Sequence, residues 1–198
     1  MKKNRYKGND FQKALKNAKI DLEEYEENLL VNKIIEGTNE TEIEVIEKRE
    51  VIKYINDCIY NLLTKMGFSV EISIQNKEEN PKYLITSNND ALLIGKNGKN
   101  LKALHIIIRE MLKKELQAKY QFTIDAAEYN EKRVEYLKKL AINISKEVKK
   151  SKIPTKLDSM NSYERMIIHN ILKNDKYVYT ESIGEEPNRY IIIKPIED

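Results

Sequence analysis

Hydrophobic positions change period along this chain, and the changes mark its elements. Val51, Ile52, Ile55, Ile59, Leu62 and Leu63 recur every three or four residues, predicting an amphipathic helix that stops at Gly67 as its C-cap. Phe68, Val70, Ile72 and Ile74 then alternate with Ser69, Glu71, Ser73 and Gln75, the period of a half-buried strand. A turn over residues 76–81 leads to a second strand at 83–86, and a third is predicted at 121–126. Between the last two, Asn88, Asn89 and Asp90 can cap a short helix running through Ile94. Gly95-Lys96-Asn97-Gly98 interrupts it, and Leu101, Leu104, Ile108, Met111 and Leu112 mark the longer helix that follows. The order is therefore helix, strand, strand, helix, GxxG, helix, strand.

Flanking segments show weaker patterns. Upstream, a short helix at 11–18 precedes two extended runs, 29–36 and 41–47, joined by Gly37, Thr38 and Asn39. Such a hairpin has too small a core to be stable alone. Downstream, Val134, Leu137, Leu140, Ala141, Ile144 and Val148 form a helical stripe ending before Pro154. Asn161 opens a further helix to about residue 173, and strands at 177–183 and 190–193 close the chain around residues 184–188. The expected class is α+β in three small units: a helix-hairpin segment at 1–48, a central unit at 49–128 and a C-terminal unit at 129–198.

Charge narrows the function. The 198 residues carry 35 Lys plus Arg against 32 Asp plus Glu, a net +3, which excludes a uniformly basic binder. Residues 1–48 hold 9 bases and 11 acids, 49–128 hold 12 and 10, and 129–198 hold 14 and 11. Lys138, Lys139, Lys146, Lys149, Lys150, Lys152 and Lys156 are relieved only by Glu147, so 138–156 is locally about +6. That run reads equally as a solvated helix face or as a phosphate track. Apolar runs fall far short of a bilayer span and no leader pattern opens the chain, so a soluble, cytoplasmic protein without membrane insertion is expected. A single cysteine, Cys58, and two histidines exclude a disulfide framework and argue against a zinc site. Cys58 and His105 lie beside apolar stripes and are expected to be packed and inert, and Tyr54, Tyr60 and Tyr136 to serve core or groove packing.

Two constellations could carry chemistry. In the GxxG segment the glycines let the backbone approach a sugar-phosphate chain, and the next helix offers unpaired N–H groups. Lys96, Lys99 and Lys102 add mobile charge beside it. The segment has neither Walker A nor dinucleotide-fingerprint spacing. In its setting of strands and helices it resembles the KH domain, type II arrangement, whose GxxG loop clamps about four nucleotides. Further on, Asn161-Ser162-Tyr163-Glu164 has capping-box spacing, and Arg165 and His169, four apart, share one helix face with Lys173. The string from Met160 to His169, with Thr180-Glu181-Ser182-Ile183-Gly184-Glu185-Glu186-Pro187-Asn188-Arg189, closely resembles the R-3-H domain, named for Arg-xxx-His.

A KH module followed directly by an R-3-H module is the arrangement of the bacterial Jag family, the SpoIIIJ-associated proteins also called KhpB or EloR. The resemblance covers about residues 49–194. It implies a cytoplasmic protein that binds single-stranded RNA without catalysis or cofactor, single-stranded DNA being the other candidate ligand. Gly95, Lys96, Asn97, Gly98, Lys99 and Lys102 would form one contact surface, and Arg165, His169 and Arg189 a second, Tyr163 being a weaker candidate for stacking. It further implies a role in cell elongation or envelope regulation, with a small KH-only partner or a second copy of the chain. Residues 1–48 hold only Gly8 and Gly37, so the Lys-Gly-aromatic-Leu-Gly loop of many relatives is missing, and the segment reads as a reduced version of their N-terminal module. Two other classes stand against this reading: an adaptor whose KH surface mediates dimerisation, and a phosphodiesterase or nuclease built on His169, Arg165 and Glu164 or Asp158.

Overall fold

A computed structural model describes residues 1–37, 40–77 and 79–196. It is α+β and divides into two compact units, Met1–Ala127 and Glu128–Asp198. Thr38 and Asn39 of the expected hairpin connection, and Glu78 of the expected 76–81 turn, lie outside the described residues. Among the described residues no helix is long and apolar enough to cross a membrane.

The first unit begins with a strand that hydrophobic alternation could not reveal. β1 (Asn4–Gly8) precedes α1 (Phe11–Leu22), and β2 (Leu29–Glu36) and β3 (Thr41–Glu47) follow, giving an antiparallel sheet of order β1-β3-β2. Its sequence signal is electrostatic: Arg5 stands opposite Glu44 and Lys7 opposite Glu42, with Arg5 Nε 3.4 Å from Glu44 and Lys7 Nζ 3.1 Å from Glu40. Ala14, Leu15 and Ala18 of α1 pack on Leu29, Ile43 and Val45 of the sheet.

That small core has further support. The buried Asn32, at a break in the β2–β3 register, donates to Glu44 at 2.7 Å and accepts from the Gln117 backbone N–H at 2.7 Å. The Lys3 ammonium donates to the Glu115 carbonyl at 2.7 Å.

α2 (Lys48–Lys65) ends as its sequence dictates. Gly67 at φ 88° sits just past the end, and the Phe68 N–H reaches back to the Leu63 carbonyl at 3.0 Å. β4 (Val70–Gln75) and β5 (Lys82–Ser87) pair antiparallel, and β6 (Thr123–Ala126) joins β5 in parallel. α3 (Asp90–Ile94), a single 3-10 turn (Lys96–Gly98) and α4 (Lys99–Glu115) connect β5 to β6. α2 and α4 cover this sheet, burying Ile55, Ile59 and Leu63 with Tyr83, Ile85, Leu104 and Ile108. The buried Tyr83 hydroxyl donates to the Ile52 carbonyl at 3.0 Å, tying α2 to β5.

The second unit stacks α5 (Tyr129–Ser151) and α6 (Ser162–Leu172) on one face of a sheet of order β7-β9-β8. Its strands are β7 (Thr155–Lys156), β8 (Val178–Ile183) and β9 (Tyr190–Pro195). Leu137, Ala141 and Val148 of α5 meet Ile168, Leu172, Val178, Ile191 and Ile193. β7, only two residues long, gives no periodic signal.

Two packing expectations change, for the tyrosines and for Cys58, and the one for His105 holds. Tyr60 and Tyr136 are 49% and 53% exposed, each a residue before or after a stripe position, and one residue is 100° of helix rotation. Cys58 is only partly buried, and burial raises its thiol pKa. His105 is packed: its ring lies 4.9 Å from Phe122 and Nε2 is 3.1 Å from the Phe122 carbonyl.

Candidate nucleic-acid interface

The GxxG segment is held open from both sides. Asn89 caps α3 by accepting from the Leu92 N–H at 3.0 Å, and Asp90 accepts from the Ser87 N–H and hydroxyl at 2.8 Å each. The Asn100 side chain donates to the Leu92 carbonyl at 2.8 Å, bridging the interruption. Gly95 takes φ 70°, ψ 176°, a conformation essentially restricted to glycine. Asn97 (φ 54°, ψ 33°) and Gly98 (φ 71°, ψ 15°) are both left-handed. Three of the four residues thus need conformations that few side chains accept. A Cβ on Gly95 would come within 2.5 Å of the Asn100 side chain.

Cations surround this backbone. Lys96, Lys99 and Lys102 are exposed, and no ion pair joins them to a carboxylate among the described residues. α4 starts without a side-chain cap, and the Gly98 and Lys99 N–H groups turn back to the Gly95 and Lys96 carbonyls, so what this helix start presents to an anion is its positive dipole end. Gly98 is buried and Asn97 partly exposed. The loop therefore offers a rigid turn at the positive end of a helix, ringed by mobile charge.

On α6 the arrangement is the reverse. The predicted capping box forms: Glu164 N–H to Asn161 Oδ1 and Asn161 N–H to Glu164 Oε2, both 3.0 Å. Arg165 is buried, and its Nη1 donates to the Met160 carbonyl at 2.6 Å and to Glu186 at 2.9 Å. One turn on, Nδ1 of His169 is in hydrogen-bond contact with the Thr180 hydroxyl of β8. Burial, and secondarily the positive charge of Arg165, lower the His169 pKa. The imidazole is therefore largely neutral at pH 7. Arg189 is exposed and its Nε donates to the Ser182 hydroxyl at 3.0 Å. Thr180 and Ser182 are successive same-face positions on edge strand β8, so His169 and Arg189 lie along that edge. Lys173 and Tyr163 are exposed.

Sequence reasoning missed the partners. Glu164, besides closing the capping box, accepts from Arg133 Nε at 2.7 Å and so pins α5 to α6. Its carboxylate is committed, which removes it as a free general acid. Lys138 and Lys149 of the basic run bind Glu135 at 2.7 Å and Asp175 at 2.6 Å, so part of that run's charge is answered within the unit. These contacts join residues 21 to 31 positions apart, apart from the local Lys138–Glu135 pair, and only the last could be read as a helix-face pair.

A profile of the R-3-H domain family matches residues 135–195. The chain is 39% identical over 130 residues to the RNA-binding protein KhpB of Clostridium symbiosum, covering 65% of this chain and 59% of that one. It is 31% identical over 153 residues to the protein of the same name from Bacillus subtilis, covering 76% and 74%. With the Streptococcus pneumoniae KhpB it shares 29% identity over 144 residues, 73% of this chain but 43% of the relative. The match to the first of these spans less than two thirds of that relative's length.

Proposed function

The chain belongs to the KhpB family, and from that premise we propose that it binds single-stranded RNA in the cytoplasm as a non-enzymatic regulator. The observation that carries this reading is the Gly95–Gly98 loop, where strained backbone, an uncapped helix start and three exposed lysines converge. Residues 49–128 act as a KH domain of the type II order and residues 129–198 as the R-3-H domain, with 1–48 a reduced N-terminal module. Phosphates lie against the glycine backbone at the start of α4 and Lys96, Lys99 and Lys102, with Arg189 and the His169 imidazole supplying a second contact. Arg165, held inward by Met160 and Glu186, positions that second surface. Linking two weak contacts makes the second intramolecular and raises affinity. The relatives' names describe RNA binding rather than a reaction, and Glu164 is already bound to Arg133. Control of cell elongation or envelope gene expression is the physiological role that fits this family.

Fluorescence anisotropy of the full chain with a labelled single-stranded oligoribonucleotide tests the reading. Affinity falls with rising salt, Gly98→Asp abolishes most of it by placing a carboxylate in the phosphate path, and Arg189→Gln with His169→Gln weakens it. Affinity indifferent to salt and to Gly98→Asp overturns the reading. One observation favours a second role for the same unit: Ile106 and Ile107 stand 39% and 47% exposed side by side on α4, a surface suited to a KH-only partner or a second copy. Ile107→Lys would then lower the mass measured by sedimentation without changing RNA affinity.

A further inference from the structure

We propose that the open face of the C-terminal sheet is a third contact surface, a platform on which bases of a single-stranded nucleic acid stack. This rests on the RNA-binding reading above and extends it to residues that neither the GxxG loop nor the Arg-xxx-His face includes.

The strand pleat separates two faces. Val178, Ile191 and Ile193 point into the core beneath α5 and α6. Tyr179 and Glu181 on β8, Tyr190, Ile192 and Lys194 on β9, and Lys156 on β7 therefore point the other way. Tyr179 is 47% exposed and stands opposite Lys194, and Tyr190 stands opposite Ile183, four residues along β8. At a strand rise of about 3.4 Å per residue the two rings sit about 14 Å apart along the strand direction. Each has a cation at its ring: Lys156 Nζ lies 4.0 Å from the Tyr190 centroid and Lys194 Nζ 6.0 Å from that of Tyr179.

Chemistry selects the occupant. Two exposed or half-exposed rings with an ammonium over each offer a base a π-face once the flexible lysine swings aside, and the displaced ammonium offers a charge to the adjoining phosphate. Among the described strand residues Glu181, bound to Lys194, is the one acid on this face, against two lysines. A stable protein interface needs an apolar centre depleted of charge, whereas here the middle row holds Glu181, Ile192 and Lys156. A nucleic acid fits the charge and the rings together.

The test uses the full chain and a fluorescein-labelled twelve-nucleotide oligouridylate. Tyr179→Ala with Tyr190→Ala should weaken binding at least about tenfold, from the usual loss per stacked base, while Tyr179→Phe with Tyr190→Phe keeps wild-type affinity. Lys156→Gln with Lys194→Gln should lower the slope of log affinity against log salt by about 1.4, or 0.7 per phosphate contact. Circular dichroism and thermal melting confirm that each variant is folded. Photocrosslinking with a bromouridine-substituted oligonucleotide should mark the peptides holding Tyr179 and Tyr190. If the alanine pair binds within twofold of wild type while Gly98→Asp abolishes binding, the sheet platform is refuted and the RNA-binding reading stands. Failure of the wild type to bind any oligonucleotide overturns both. Self-association lost in the alanine pair with RNA affinity intact would assign the face to a second copy of the chain instead.

Discussion

In the loop between α3 and α4, Lys96, Lys99 and Lys102 stand exposed around a backbone bent into conformations that glycine and asparagine tolerate. On α6, Arg165 is buried against Met160 and Glu186, and His169 is held by Thr180. The first region gets its shape from backbone and leaves its charges mobile. The second gets its shape from the candidate side chains themselves, so fold and candidate site cannot be separated there. Substitutions should therefore report binding alone in one region and binding plus stability in the other.

The largest effect should come from Arg165→Ala. It leaves the Met160 carbonyl and the Glu186 carboxylate without their donor, costing about 1–3 kcal/mol, read as a lower urea midpoint. Lys96→Ala should stay within about 0.5 kcal/mol of wild type. Equal midpoints for the two would erase the distinction.

Within the loop, Gly95→Ala should cost about 1–2 kcal/mol, because its Cβ enters the space of the Asn100 side chain as well as straining the backbone. Gly98→Ala, in the ordinary left-handed region, should cost about 1 kcal/mol. The reverse order would mean that the Asn100 bridge does not hold the turn. Lys96→Gln, Lys99→Gln and Lys102→Gln should each lower the log–log salt slope for a single-stranded oligonucleotide by about 0.7, with unchanged thermal midpoints.

The smallest effect concerns pH. The folded state lowers the His169 pKa, so the unfolded chain binds the proton more readily and stability rises with pH. The contribution is present above the unfolded value near 6.5 and is lost as pH falls below it toward the lower folded value. Urea unfolding at pH 7.5 and 5.5 should show a difference that shrinks in His169→Gln. An unchanged difference would mean that other groups carry it.

Both candidate surfaces were legible as sequence because their signals are local. Gly95 and Gly98 mark a turn by what they lack, and Asn161 with Glu164 announces a helix start whose register puts Arg165 and His169 one turn apart. β1 and β7 escaped: one is paired through charge rather than apolar alternation, and the other has two residues. Tyr60 and Tyr136 were misplaced because a tyrosine beside a stripe satisfies the helical pattern whether or not it is covered.

Local sequence determined where helices start and stop, which loop residues must be glycine or asparagine, and which cations share a face, because those follow from backbone sterics and helical period. Only the tertiary structure decided that Arg165 faces inward to Glu186, that Thr180 holds His169, that Arg133 reaches Glu164, and that Asn32 ties the first sheet to the end of α4. Those pairings join residues 11 to 85 positions apart. Their partners are chosen by which chain segments the packed cores bring side by side, and no local pattern encodes that choice.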